Sequence, residues 1–146
     1  MSSSLTKHRG LAAIEFVLIS PLIIVFIAIC ADIGNLLVEY QSLNKAVRNG
    51  ARFAVTEIYG TATAVDIAPI SEIQNVVVYG TSSGGTEPIL EGLTPEAVTV
   101  TAPTSIDTTL VVTAVYTYSP TFLTIPFLDI PMTIDFTASA VMETGI

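Results

Sequence analysis

The chain has 146 residues, enough for one ordinary domain or for a small domain with an anchor. Apolar residues make up 51% of it and charged ones 12%, a balance that suits a membrane-attached protein better than a free soluble one. The net charge of -8 hides an asymmetry: all five Lys and Arg lie in the first 52 residues, and the ten acids from Phe53 to Ile146 have no base among them, which argues against nucleic acid or anionic headgroups as partners of the C-terminal part.

Residues 1–10, "MSSSLTKHRG", are short, polar and basic at their end, with Lys7 and Arg9. Leu11 to Ala31 then supplies 21 residues, of which the 16 from Phe16 to Ala31 carry no charge. That is about one bilayer span at roughly 1.5 Å per residue. The run is too long for the core of a cleaved signal peptide, and no small-residue cleavage site follows it. Lys7 and Arg9 abut its N-terminal side, so the N-terminus is expected in the cytoplasm, although Lys45 and Arg48 follow at no great distance. Within the apolar stretch a carboxylate, Glu15, stands out, because a charge there costs roughly 2.5–3.5 kcal/mol even on lenient insertion scales. Cys30 is the single cysteine, so no intramolecular disulfide is available.

The helical pattern continues past the membrane, over residues 32–58. Leu36, Tyr40, Leu43, Val47, Ala54 and Ile58 fall on one apolar stripe, and Glu39, Ser42, Lys45, Asn49 and Arg52 on the opposite polar one. Pro21 removes the hydrogen bond to the Val17 carbonyl and predicts a kink or local unwinding, and Gly34 is a soft point.

Residues 59–146 change to Thr, Val, Ser, Gly and Pro. Alternation predicts strands over 97–102, 110–118 and 134–142, with a fourth, weaker one at Asn75–Tyr79. The segment 80–88, "GTSSGGTEP", reads as a turn-rich loop, and 119–131, "SPTFLTIPFLDIP", as a proline-broken connection. Phe122, Leu123, Ile125, Phe127, Leu128 and Ile130 make that connection a lid over the sheet or an apolar contact patch. A domain of this size without disulfides has a marginal core alone, so the apolar stripe of the helix should cover it. The expected class is α+β: a long N-terminal helix, membrane-spanning in its first half and amphipathic in its second, packed on a small antiparallel sheet.

Catalytic chemistry is missing. His8 is the single histidine and precedes the apolar run, which excludes Ser–His–Asp and Cys–His arrangements in the C-terminal part. No base follows Arg52 and no Gly-rich loop ends in Lys-Ser/Thr, so phosphates have no cradle. No cofactor is expected. Glu87, Glu91, Glu96 and Asp107 are oxygen donors of the kind calcium uses, set here among turn residues as solvated loop acids.

Gly10, four apolar residues, then Glu15 and Phe16 resemble the cleavage motif of type IV prepilins. More narrowly, residues 9–54 are similar to the N-terminal region of TadE/TadF-type minor pilins (pseudopilins) of tight-adherence, or Tad/Flp, pilus systems. The matching parts are "RG-x-x-x-x-EF", the early Pro21 and the closing "A-x-R-x-GAR-x-A" over 46–54. The C-terminal end, from "VVTAVYTYSP" to "IDFTASAVME", also has the look of that family, while 59–107 has no counterpart. The resemblance implies a type IV pilin-like fold and a prepilin leader over 1–10, with Lys7 and Arg9 as its charge. A prepilin peptidase would cut between Gly10 and Leu11. Glu15, Phe16 and Pro21 would serve subunit assembly; Arg48 and Arg52, on the helix beyond the membrane, form either a solvated basic face or a docking contact with the acidic domain. Other pilins and an inner-membrane assembly platform are the implied partners. The protein would sit in the bacterial inner membrane with its C-terminal domain in the periplasm, for a pilus used in surface attachment and biofilm formation. The competing class is an uncleaved, single-pass anchored binding or sensor domain, in which Gly10 would be dispensable and Glu15 merely tolerated.

Overall fold

A computed structural model describes residues 5–56, 67–104, 106–120 and 133–143, with side chains from Leu11 onward. The chain divides into two compact units, one holding the first helix as far as Asn35 and the other beginning at Leu36.

Helix α1 spans Leu5–Thr56 without interruption, through both Pro21 and Gly34. Its continuity at Pro21 has a local cause. The proline lacks the N–H that would reach the Val17 carbonyl, and the Ser20 hydroxyl donates to that carbonyl instead, at 3.1 Å. Gly34 has nothing within 4 Å of where a Cβ would stand, so the gap in side-chain cover costs no packing.

In the second unit, α1 buries Leu43, Ala46, Val47, Ala51 and Ala54. Facing them is α2, Ile70–Tyr79, followed by a loop and a single 3₁₀ turn at Pro95–Ala97. Three strands complete the unit: β1 (Val98–Thr101), β2 (Thr109–Tyr118) and β3 (Ile134–Glu143). They form one antiparallel sheet in the order β1-β2-β3, with Val98 opposite Ala114 and Tyr116 opposite Phe136. This is an α+β architecture, a long apolar N-terminal helix with a small antiparallel sheet.

The strands follow the alternation in the sequence. Leu110, Val112, Ala114, Tyr116 and Tyr118 face the core, while Thr113 and Ser139 meet on the outer face with their hydroxyls 3.2 Å apart. Phe136 ties α1 to the sheet, its ring 5.7 Å from Tyr40 and 5.4 Å from Tyr116. The expected strand at Asn75–Tyr79 is helix. Ile73, Val76 and Val77 stand at i, i+3 and i+4 and are buried together, so the face they offer to α1 and the sheet outweighs the β preference of three successive valines. The helix ends at Gly80 in the left-handed conformation (φ 78°), whose N–H donates to the Val76 carbonyl at 3.0 Å. Beyond it the turn-rich loop is pinned: Asn75 donates to the Ser82 carbonyl, the Ile89 N–H to that of Val78 at 2.7 Å, and Leu90 and Leu93 enter the core.

Candidate functional site

The features that carry chemistry lie along α1. Gly10 is helical in its backbone, and Leu11, Glu15 and Phe16 are exposed, Phe16 to 66%. From Leu11 to Ile33 large apolar side chains are exposed around the whole helix, among them Leu18, Leu22, Ile24 and Phe26. A surface of that kind is stable only against lipid tails or other apolar helices. The helix is long and apolar enough to cross a membrane. Ala13, Ile14, Val17, Leu18 and Pro21 also line an apolar hollow of about 530 Å³ on the flank that carries the proline. Cys30 is a free, exposed cysteine in the same surface.

Two acids on α1 depart from their sequence pattern. Asp32, immediately after the uncharged run, is 2% exposed and is the buried charged side chain among the described residues. Glu39 was expected on the polar stripe; it is half-buried, and its Oε2 is buried without a hydrogen-bond partner. The burial of Glu39 had no local signal, since it depends on the β2 residue Tyr116 that the fold brings alongside. Next to Glu39 stands Tyr116, whose hydroxyl donates to the Glu91 carbonyl at 3.1 Å. Burial first, and then the negative charge of the neighbouring Glu39 carboxylate, push that hydroxyl up to about 12.

The segment "A-x-R-x-GAR-x-A" divides cleanly between two faces. Ala46, Gly50, Ala51 and Ala54 are buried, and a Cβ added at Gly50 would overlap the Val77 side chain of α2. These small residues set how closely the two helices approach. Arg48 and Arg52, with Lys45, are exposed on the opposite side of the helix, and among the described residues none of the three forms an ion pair.

Among the described residues no three His, Cys, Asp or Glu side chains gather closely enough to hold a metal ion. The Phe122–Ile130 apolar patch lies outside the described residues, as do the side chains of Lys7 and Arg9. Set beside known proteins, residues 10–52, under a third of the chain, match the family model of TadE-like proteins. No curated protein and no solved structure matches the chain. The matched segment runs from the Gly10 peptide through Glu15 and Pro21 to the small-residue seam at Gly50, and over that segment the chain is similar to TadE-like proteins.

Proposed function

We propose that this chain is a minor pilin, processed after Gly10 by a prepilin peptidase on the cytoplasmic side of the inner membrane and assembled with other pilins through α1. Its role is structural, with no catalytic step and no cofactor. The observation that carries the reading is one unbroken helix whose exposed apolar surface holds a carboxylate, Glu15, five residues beyond Gly10.

Physical arguments support each part. Gly10 is the poorest helix former of its neighbourhood apart from Pro, weaker than Ala by about 1 kcal/mol, so the backbone there opens most readily for a peptidase. Cleavage would create an α-amino group, with an ordinary pKa of about 7.7–8.0, at the start of the helix. A carboxylate–ammonium contact at about 4 Å is worth about 4 kcal/mol at an effective dielectric of 20. That matches the roughly 2.5–3.5 kcal/mol insertion cost of Glu15, so pairing with the new amine of a neighbouring subunit offsets it and sets the axial stagger. The C-terminal unit, held outside the cytoplasm, then provides a tip, an initiating contact or a surface for other pilus components of an attachment organelle.

Glu15→Ala separates this role from that of an uncleaved anchored domain. In cells making Tad pili, the variant should still be shortened at Gly10 yet disappear from complexes with other pilins recovered by crosslinking in the membrane. A variant that keeps those complexes unchanged would contradict the assigned role of Glu15.

A further inference from the structure

Two features of the second unit have no use within it. The first is the tip between β1 and β2. Ile106 is 97% exposed there, an unusual position for a large aliphatic side chain. The tip is not slack. The Thr104 N–H donates to the Asp107 carbonyl at 2.7 Å, the Asp107 N–H to the Thr104 hydroxyl at 3.1 Å, and the Thr109 N–H to Asp107 Oδ1 at 3.0 Å. The Thr109 hydroxyl and N–H hold the Asp107 carboxyl below its usual range, so a charged group stands beside the exposed isoleucine. The second feature is a groove of about 180 Å³ on the outside of α1, lined by Ser42, Lys45, Ala46, Asn49 and Ile89. Of its lining residues Ala46 is buried and Lys45 is exposed, with Arg48 and Arg52 exposed further along the same helix.

We propose that the Ile106–Asp107 tip of one chain docks in the groove beside the Lys45–Arg48–Arg52 stripe of a second copy. Size and charge choose that occupant. A groove of this volume takes one aliphatic side chain, and burying an isoleucine there contributes up to about 1.5–3 kcal/mol. The chain has no Lys or Arg beyond Arg52, and Lys7 and Arg9 lie before the apolar run, so beyond that run an acidic tip meets a concentrated positive surface on another copy at this stripe. Because tip and groove are different surfaces, the contact is head-to-tail and extends from copy to copy without having to close. It is small, and exposed ion pairs add about 0–1 kcal/mol each, so it relies on the high effective concentration of chains confined to one membrane. The contact deepens the assembly reading above by naming a surface between subunits, yet it does not require cleavage.

The test uses the full-length, uncleaved chain carrying Cys30→Ser in vesicles of neutral phosphatidylcholine. Ile106→Cys and Asn49→Cys, both at exposed positions, are introduced singly and together, and the samples are oxidised. The double variant should give a ladder of disulfide-linked dimers, trimers and larger species, and neither single variant should. Asp107→Asn, which keeps the oxygen that accepts from Thr109, should lower the ladder by about three- to fivefold. Salt at roughly 1 M should weaken it likewise. Monomer throughout would overturn the proposal, as would a dimer from Ile106→Cys alone, which would mean a symmetric contact. So would a ladder indifferent to Asp107→Asn and to salt. A ladder lost when phosphatidylglycerol replaces part of the neutral lipid would assign the stripe to the membrane surface instead. Processing plays no part here, so a missing ladder leaves the minor-pilin reading standing, and a failure of processing leaves the ladder standing.

Discussion

Ser20 and Pro21 illustrate how a single hydrogen bond decides the course of a helix. The proline leaves the Val17 carbonyl without its usual donor, and the serine before it supplies one at 3.1 Å. Inside a bilayer no water could do so. Ser20→Ala should therefore destabilise the helix by about 1 kcal/mol, seen as faster amide exchange around Val17–Pro21 in micelles, whereas Ser20→Thr should preserve the protection. At Tyr116 the effect is electrostatic. Its folded pKa of about 12 lies above the ordinary 10.0, so the folded state favours the protonated phenol. The stability this contributes is complete below pH 10 and is lost as pH climbs from there to about 12. Thermal melts across that window should fall more steeply for the native chain than for Tyr116→Phe. The variant starts lower, by about 1 kcal/mol, because the Glu91 carbonyl loses its donor. Identical slopes would contradict the environment assigned to this hydroxyl.

The elements were legible to different degrees, for reasons that lie in side-chain periodicity. β2 and β3 could be read almost residue by residue, since their alternation of Val, Leu, Ala and Tyr with Thr and Ser reports directly which face is buried. Helix α2 was not, because "NVVVY" satisfies a strand pattern and a buried helix face equally well. Pro69 before it and Gly80 after it were the helix signals, outvoted by the valines. The α1–α2 crossing depends on Gly50. Gly50→Val should destabilise the second unit by about 1–3 kcal/mol through overlap with Val77, measured by denaturant unfolding. Gly34→Ala meets no neighbour and should stabilise the helix by about 1 kcal/mol. Equal effects from the two substitutions would refute the assigned crossing. Much of the candidate site could also be read in advance: Gly10, Glu15 and Pro21 are marked by their contrast with an apolar run. The burial of Glu39 could not, because it depends on Tyr116, far away in sequence.

At the scale of the molecule, two kinds of surface meet on one chain. The part of α1 before Asn35 exposes apolar side chains on every side and asks for lipid or helices, while the unit from Leu36 onward has its own core and a separated distribution of charge. That division of labour is what a subunit needs if it is stored in a membrane and assembled by its stem. The central claim is that the stem is released for assembly by cutting at Gly10, and the intact mass of the membrane-extracted protein, co-expressed with its prepilin peptidase, tests it most directly. The account predicts a chain beginning at Leu11, with the loss of residues 1–10 abolished by Gly10→Arg. A full-length chain in both samples would contradict it and leave a permanently tethered domain in its place.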